Sequence, residues 1–372
     1  MTKAELKPFI YSVSTLSSTI IGVGLFSLPY ITLKMGFWSM IGYFLVLGTL
    51  VLLIHYFFGE LSLATPDRKR LPGFAKIYLG NWAEKLAYFS IILGIFGAIL
   101  AYLIVGGEFL ESFLTPFFGG GNLFYTIFYF VLGAVAIFFG IKFISKIEFW
   151  GLILFFVVLI FVFLKERFLI NIGNLFLAQE TKDFFLPYGP VLFSLWGATL
   201  IPEVEEMLGK DKKLLKKSII LATLIPIIIY LFFIYIILGI CGFQTTESAL
   251  TGLRNFVGEE IVMLMLFFGI LATFTSFISM SLTLRNVFWY DLKINKNLAF
   301  LVVCFFPLFL FLVGIKRFIP IISVVGGVML GIDGILILLM YGKIRPEKKF
   351  LTYPLILVFL AGILYEIIYF IK

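Results

Sequence analysis

The sequence predicts an all-helical integral membrane protein with about eleven transmembrane segments, and three observations lead to this fold class. Hydrophobic residues make up 62% of the chain and charged residues 13%, whereas soluble domains contain about half and about a quarter. Apolar runs of about 18 residues or more recur, and each can cross a hydrocarbon core of roughly 30 Å as a helix. Two of these runs are interrupted in their middle by glycine and proline.

The predicted segments share a membrane-crossing length and few charges. They span, in order, 9–33, 37–64, 83–113, 123–141, 148–164, 186–208, 215–240, 260–290, 297–314, 318–341 and 351–371. Glycine, proline and hydroxyl residues within them are tolerated in a bundle, because neighbouring helices satisfy the freed backbone groups. Residues 1–8 lead into a segment too long for a signal-peptide core, so we expect no cleaved leader and a single polytopic domain over 1–372.

The distribution of positive charge predicts the orientation. When the N-terminus is placed in the cytoplasm, most of the 29 Lys and Arg residues fall on the cytoplasmic side. An odd number of crossings then places the C-terminus outside, so we expect a multi-pass protein of the cytoplasmic membrane in the lipid bilayer. The net charge of +8 is spread over many loops, which does not favour a nucleic-acid partner, and no segment indicates an obligatory protein partner.

Residue types that carry catalysis or bind metals are scarce. The chain has two cysteines, Cys241 and Cys304, in or near different segments, and one histidine, His55. This composition gives neither a metal cluster nor a catalytic constellation, so we expect a protein that is not an enzyme and needs no cofactor. His55 could titrate near neutral pH, but a lone histidine in such a segment is more often bonded to a neighbouring helix.

The interruption of the first segment at residues 22–29, here the first break, is the strongest functional feature. In lipid every backbone group must be satisfied internally, so unwound chain persists only where protein, water or a solute accepts its hydrogen bonds. Gly22 and Gly24 have no Cβ, so their amides can approach a ligand, and the following half-helix directs its positive dipole end at an anion. These features favour a carboxylate ligand. Alternatively, the glycines only permit close helix packing.

The sixth segment is interrupted at residues 194–202, here the second break. Backbone carbonyls around Phe193 and Trp196 would accept hydrogen bonds from an ammonium group at the opposing break. A paired break in the two halves of a membrane protein indicates a solute site at mid-membrane depth, and a zwitterionic amino acid matches both breaks. Phe193 and Trp196 could instead be ordinary core aromatics, since aromatic residues make up 19% of the chain.

Both breaks resemble signatures of one transporter family. Residues 18–30, with Gly22, Gly24, Leu28 and Pro29, resemble the G-x-G-[IL]-x-x-[LI]-P signature of the amino acid/auxin permease branch of the amino acid–polyamine–organocation transporters. Residues 190–203 resemble the F-x-x-x-G-x-x-x-x-P-E stretch of that branch. The resemblance implies a LeuT-like fold, a five-plus-five inverted repeat with discontinuous helices one and six. The repeats would be 9–164 and 186–341, with 351–371 as an additional helix.

The resemblance also implies a substrate site formed by the two breaks. Its expected residues are Gly22, Val23, Gly24, Leu25, Phe193, Ser194, Trp196 and Gly197. Trp196 departs from many members, which have a small residue there and a histidine at the position of Ala198. The bulky indole favours small to medium neutral amino acids, with an aromatic amino acid as the alternative. Tyr102 and residues 106–107 lie in segment three, which lines the site in relatives.

The coupling ion is left open between sodium and a proton. Segment eight resembles the A-x-x-T-S pattern of sodium-coupled members, which implies a cation site of Ser18, Ile21, Ala272, Thr275 and Ser276. Oxygen ligands suit a hard cation. Alternatively, these hydroxyls bond to carbonyls of their own helix. Asp333, in the middle of segment ten, is the candidate proton site, since a membrane carboxylate marks a relay or a structural polar contact.

The sequence therefore predicts a permease that imports an amino acid by alternating access, driven by a gradient of Na⁺ or H⁺. An amino acid sensor with little flux is the alternative. Only about eight residues precede the first segment, which disfavours a signalling module, because sensor relatives carry long cytoplasmic extensions.

Overall fold

The structure is a computed structural model that describes residues 3–66, 69–140, 144–177, 184–209 and 211–371. These residues form helices and connecting turns, and none of them forms a β-strand. The α-helices are α1 Lys3–Ile20, α2 Leu28–Met35, α3 Phe37–Ala64, α4 Leu71–Leu79, α5 Asn81–Phe118, α6 Asn122–Phe139, α7 Ile144–Glu166, α8 Tyr188–Leu195, α9 Ile201–Met207, α10 Lys212–Cys241, α11 Glu259–Asn286, α12 Lys296–Leu312, α13 Phe318–Val324, α14 Leu330–Ile344 and α15 Lys349–Ile371.

Each predicted segment corresponds to one helix or to an interrupted pair of helices. The first segment is α1 and α2 around a 3-10 turn at Val23–Ser27, and the sixth is α8 and α9 around a 3-10 turn at Ala198–Leu200. Three features were not predicted: the short helix α4 in the loop before segment three, a π-helical stretch at Val287–Asp291 at the end of segment eight, and a π-helical turn at Val325–Met329 that divides segment ten. The last of these is called the π-helical turn below. The last residue of the fourth predicted segment, 141, lies outside the described residues.

Among the described residues, seven helices are long and apolar enough to cross a membrane, and the α1–α2 pair, bent by 49°, provides an eighth span. The other predicted segments correspond to α7, to the α8–α9 pair and to α12, which is a shorter apolar helix. The all-helical membrane fold that the sequence predicts is confirmed.

Both breaks have the same local design, in which glycine precedes a restart at proline. α1 ends at Ile20, and Gly22 follows in an extended conformation with φ −119° and ψ −158°. Pro29 lies in the first turn of α2, and Pro202 occupies the same place in α9. Proline lacks an N–H and has a helical φ, so it is well suited to the first turn of a helix.

The first break is fixed in the bundle by aromatic packing. Phe26, which is 2% exposed, meets the rings of Phe109 on α5, Phe155 on α7 and Phe233 on α10 at centroid distances of 4.9, 6.1 and 6.0 Å. All three contacts are edge-to-face, a geometry that stabilises aromatic pairs beyond their burial. The break is therefore enclosed by three helices that are themselves continuous.

One face of the bundle is closed by an ion-pair network around Glu60 on α3. Lys212 Nζ lies 2.6 Å and Arg345 Nε 3.9 Å from the carboxylate. The hydroxyls of Tyr56 and Tyr341 each donate to it at 2.9 Å. The end of α3 is thus tied to the start of α10 and the end of α14. We call this side, on which Lys212 and Arg345 lie, the lysine-rich face.

Candidate functional site

The two breaks are in direct contact, and glycine makes the contact feasible. A Cβ at Gly24 would overlap the Ser194 hydroxyl and approach the Phe193 ring to 3.0 Å. A Cβ at Gly197 would lie 2.7 Å from the Ile20 side chain. Each break therefore packs against the other interrupted helix. The sequence left open that glycines at the breaks permit close helix packing. Gly24 in the first break and Gly197 in the second have this role.

A single tyrosine is bonded to both interrupted helices. The Tyr230 hydroxyl, fully buried on α10, lies 2.7 Å from the carbonyl oxygen of Ile20 and 2.6 Å from that of Ser194. Ile20 is the last residue of α1, and Ser194 is in the last turn of α8. Because a phenol has one proton, the two carbonyls share one donor. The Ser194 carbonyl, expected from the sequence to receive an ammonium group, is bonded to Tyr230 in this conformation.

The sole histidine is bonded to the second break. His55 on α3 is fully buried; its Nε2 accepts the backbone N–H of Gly197 at 3.0 Å, and its Nδ1 lies 3.2 Å from the Thr223 hydroxyl on α10. A backbone amide can only donate, so Nε2 carries no proton and the neutral ring holds its proton on Nδ1. His55 is satisfied by neighbouring helices, as the sequence led us to expect, and the chain element it supports is the break itself.

A second tyrosine is bonded to the first break. The hydroxyl of Tyr102 on α5 accepts the backbone N–H of Val23 at 3.4 Å, and a Cβ at Gly22 would lie 2.5 Å from the same oxygen. Of the segment-three candidates, Tyr102 therefore reaches the break, whereas glycines 106 and 107 pack against side chains of α6. We call Tyr102, Tyr230 and His55 the capping side chains, because each bonds a backbone group that the breaks leave without a helical partner.

Trp196 lies on the His55 side of the second break. It is 7% exposed, and its ring centroid is 6.2 Å from that of His55. The indole Nε1 is buried without a hydrogen-bond partner, which is costly for a donor inside a protein. Trp196 therefore lies beside the break, and its own indole N–H has no hydrogen-bond partner in this conformation.

A small cavity adjoins the first break and meets α5, α7 and α11. Its volume is about 20 Å³. It is lined by Ile21, Gly22, Val23, Leu25, Phe26, Tyr102, Phe155, Ala272, Thr273 and Ser276. The space suits one water-sized species and is far below the roughly 300 Å³ or more of small-molecule pockets. The interrupted helices are thus closed upon each other, and the space between them is too small for a small-molecule ligand.

The predicted substrate residues are divided by this arrangement. Gly22, Val23 and Leu25 line the cavity. The remaining residues, Gly24, Phe193, Ser194, Trp196 and Gly197, lie at the contact between the breaks or beside His55.

The predicted cation residues are divided as well. Ile21, Ala272 and Ser276 line the cavity. The hydroxyl of Ser18 instead donates to the Thr15 carbonyl at 2.9 Å. That of Thr275 is within 3.1 Å of carbonyls of its own helix, at Leu271 and Ala272. The hydroxyls of Ser18 and Thr275 are therefore bonded to carbonyls of their own helices, which is the alternative to a cation site given above.

Asp333 on α14 lies away from this cavity. It is 2% exposed, and its carboxylate accepts a short hydrogen bond from the Ser90 hydroxyl on α5. This contact joins α5 to α14 inside the bundle. The sequence allowed two interpretations of Asp333, a proton relay and a structural polar contact, and the bond to Ser90 is a contact of the second kind.

A larger cavity, of about 1090 Å³, opens on the lysine-rich face. It is lined by the end of α3, by α4, by α9 and by the turn after α11, and it contains both acidic and basic side chains. Arg70 and Asp291 approach to 3.9 Å across it. Because α9 is the continuation of the second break, this cavity adjoins the second half of the interrupted helix.

Comparison with known proteins identifies the family. The profile of the tryptophan/tyrosine permease family matches residues 6–368. The chain belongs to this family. The family is one of permeases, which agrees with the transporter that the sequence predicted. The amino acid/auxin permease branch, which the signatures of the two breaks resemble, is not confirmed.

A curated relative is the tyrosine-specific transport system 1 of Haemophilus influenzae, 25% identical over 221 residues. The match covers 58% of this chain and 54% of that protein, so the chain spans about half the length of the curated relative it matches.

Solved structures share the fold of the permease. MhsT in complex with L-phenylalanine has a TM-score of 0.70 at 13% identity, covering 95% of this chain and 98% of that chain. The inward-facing conformation of Mhp1 has a TM-score of 0.64 at 14% identity, covering 97% and 88%. Mhp1, a nucleobase-cation-symport-1 family transporter, in a closed conformation with bromovinylhydantoin bound has a TM-score of 0.63. These likenesses confirm the predicted LeuT-like fold.

Sequence reasoning did not find Tyr230. Its segment also contains Tyr235, and a phenol in an apolar run is consistent with membrane packing. The signal that could have directed attention to it is physical: an unwound carbonyl inside the membrane requires a donor from a neighbouring helix.

We expect Tyr230→Phe to destabilise the permease by about 1–3 kcal/mol, because two buried carbonyls lose their shared donor. The measurement is the thermal unfolding midpoint in detergent. The control is Tyr235→Phe on the same helix, whose ring packs against Phe163 at 6.3 Å. Equal midpoints for the two variants would contradict the bridging role.

We expect His55→Asn to lower the unfolding midpoint more than His55→Gln. A glutamine amide oxygen extends about as far as Nε2 and can accept from Gly197, whereas the shorter asparagine amide cannot. The same unfolding assay compares the two. If both variants are equally destabilised, the acceptor for Gly197 is not what His55 provides.

Proposed function

We propose that this permease imports an aromatic amino acid, with tyrosine as the first candidate, across the cytoplasmic membrane by secondary active transport. The observation that carries the proposal is the contact between two interrupted helices, each with a polar backbone group held by a side chain that a ligand could replace. The family and the tyrosine-specific relative favour the aromatic alternative over the small to medium neutral substrate that Trp196 suggested.

The α-carboxylate of the substrate is proposed to bind at the first break. In the closed conformation Val23 donates its N–H to the neutral hydroxyl of Tyr102. A carboxylate is a stronger acceptor than a phenol, because charge-assisted hydrogen bonds are about twice as strong as neutral ones. The amides of Gly22, Val23 and Gly24 would then face the carboxylate, and the Tyr102 hydroxyl would donate to it.

The α-ammonium group is proposed to bind the carbonyls that Tyr230 now occupies. Ile20 and Ser194 present these two oxygens from opposite interrupted helices. Binding requires the Tyr230 hydroxyl to move aside, and it requires the breaks to separate along the Gly24 and Ser194 contact. The side chain of the substrate would extend toward Phe193 and Trp196.

Alternating access is proposed to open the closed site alternately to each side. The cavity on the lysine-rich face, next to α9, would be the cytoplasmic vestibule, with the N-terminus on that side and the C-terminus outside. We also propose that 9–164 and 186–341 are the inverted repeats and that 351–371 is appended to them. The two glycine-proline breaks occupy equivalent places in these halves.

Sodium is proposed as the driving ion, held beside the first break by Ile21, Ala272 and Ser276. The cavity volume of about 20 Å³ suits a bare cation with at most one water. Ser18 and Thr275 would contribute to the site by turning from their helix carbonyls. Asp333 is the alternative, as a proton site in place of sodium.

We expect Gly24→Val to abolish tyrosine uptake, because its side chain would overlap Ser194 and hold the two breaks apart in a non-native spacing. The measurement is uptake of radiolabelled amino acids into proteoliposomes, with tyrosine, tryptophan, phenylalanine, alanine and leucine compared. Gly42→Val is the matched control, since no atom lies within 4 Å of a Cβ at Gly42. Full uptake by the Gly24 variant, with both proteins equally inserted, would contradict the site.

We expect Ser276→Ala to weaken sodium stimulation of uptake on the order of tenfold, or about 1.4 kcal/mol, because one oxygen ligand is lost. Thr275→Ala should have a smaller effect, since its hydroxyl is bonded to its own helix. The measurement is the sodium concentration that gives half-maximal uptake.

If the rate of uptake by the unmutated protein does not depend on the sodium concentration, the assignment of a sodium site is wrong. Loss of proton-driven uptake in Asp333→Asn would then favour the alternative.

A further inference from the structure

A carboxylic acid on the last helix is buried at a junction of three backbone segments. Glu366 on α15 is 1% exposed, and its Oε2 has no hydrogen-bond partner. Among the described residues it forms no ion pair. The helix belongs to a segment that can span the membrane, where an ionisable side chain is rare and expensive. Neither the break chemistry nor the cation site uses this residue.

Glycines bring the backbones around Glu366 together. A Cβ at Gly189, near the start of α8, would lie 2.7 Å from Glu366 Oε1. A Cβ at Gly327, in the π-helical turn, would overlap the Glu366 side chain, and one at Gly326 would overlap the Gly189 carbonyl. Gly362 on α15 is packed against the ring of Tyr188 in the same way. The carboxyl is thus enclosed where α8, the π-helical turn and α15 meet.

No basic side chain among the described residues is paired with Glu366, and the titratable groups on the elements around it are few. From α8 the only titratable residue is Tyr188, whose buried hydroxyl has no hydrogen-bond partner. The π-helical turn and α13 have none. Lys316 and Arg317, before α13, line a cavity with Tyr369 and Phe370 at the end of α15. On α14, Asp333 is bonded to Ser90 on α5, Tyr341 to Glu60 at the lysine-rich face, and Lys343 lies in the last turn. On α15 itself the neighbours are Tyr365 and Tyr369. The only Lys on α15 within the described residues is Lys349, at the opposite end of the helix.

We propose that Glu366 is a proton-binding site linked to the packing of α15 against α8 and the π-helical turn. A carboxylate ion in this enclosure would be desolvated without a counter-charge, which strongly disfavours the charged form. One proton from solvent adds to a carboxylate oxygen and gives the neutral acid when the helices pack. The same proton leaves when they separate and water reaches the group. The π-helical turn is the element that adjusts, since such turns are frequent at functional sites.

The location of Glu366 links its protonation to the movement of α8. α8 carries the first half of the helix that is interrupted at the second break, so separating α8 from α15 moves a wall of the substrate site. Because α15 starts at the lysine-rich face, Glu366 lies toward the opposite face. Proton binding is therefore linked to closure on the side away from the lysine-rich face. The inference rests on the proposed transport function, and it holds whether sodium or another ion drives uptake.

The test is the pH profile of tyrosine counterflow in proteoliposomes with sodium fixed, for the unmutated protein, Glu366→Gln and Glu366→Asp. Glutamine has the shape of the protonated acid but does not titrate, so we expect a flat profile for Glu366→Gln with counterflow retained. Glu366→Asp should keep a pH dependence. Glu347→Gln, an exposed glutamate before α15, is the matched control and should follow the unmutated profile.

A profile of Glu366→Gln that matches the unmutated protein would overturn the proposal. So would a flat profile in the unmutated protein, or loss of counterflow at every pH in both Glu366 variants, which indicates a packing role only. Absence of tyrosine counterflow from the unmutated protein at every pH is a different result, because it overturns the proposed transport function itself.

A second measurement needs no variant. Dicyclohexylcarbodiimide is apolar, and the O–H of a protonated carboxyl adds across one of its C=N bonds to give an O-acylisourea. The acyl group then migrates from oxygen to nitrogen and gives a stable N-acylurea without another reagent. We expect mass spectrometry to find the adduct on Glu366 at acidic pH and less of it at alkaline pH. Equal labelling of Glu366 at both pH values, or no labelling at either, would contradict protonation of this residue.

Discussion

The structure depends on one requirement, that the backbone groups released at the two breaks find hydrogen bonds where the bilayer supplies no water. Tyr230 meets this requirement for both interrupted helices with a single hydroxyl, and Tyr102 and His55 meet it for one amide each. The donors and acceptors come from α3, α5 and α10, which are continuous. Side chains of rigid helices thus hold the unwound chain.

This arrangement gives the closed conformation a defined energetic character. Each capping side chain forms a neutral hydrogen bond, worth about 0.5–1.5 kcal/mol net, whereas leaving a buried group unpaired costs about 1–3 kcal/mol. The caps keep the breaks ordered, and in the proposed mechanism they are weak enough for a zwitterion to displace. Glycine adds a geometric condition, because Gly24 and Gly197 let the two breaks touch. A tightly bonded break would resist the substrate, and an uncapped one would not remain folded.

The sequence predicted the parts of this structure that leave a local pattern. Hydrophobic length located the spans, and glycine with proline located both breaks, because those residues act on their own backbone. His55 could be expected to bond a neighbouring helix, yet its partner Gly197 lies 142 residues away, and no local pattern connects them. Tyr230 was missed for the same reason, since its two acceptors come from segments one and six. The π-helical turn depends on packing against α8 and α15, so the sequence of segment ten alone did not reveal it.

The shared hydroxyl of Tyr230 also sets a rule of selection. The two carbonyl oxygens share one phenolic proton, so each receives a weaker hydrogen bond than it would from a donor of its own. An ammonium group brings three N–H donors and can satisfy both oxygens together, whereas the hydroxyl of a 2-hydroxy acid again brings one. In the proposed site, the number of N–H or O–H donors would thereby distinguish an amino acid from its hydroxy analogue, independently of the side chain. The shared donor belongs to α10, a helix that is not itself interrupted.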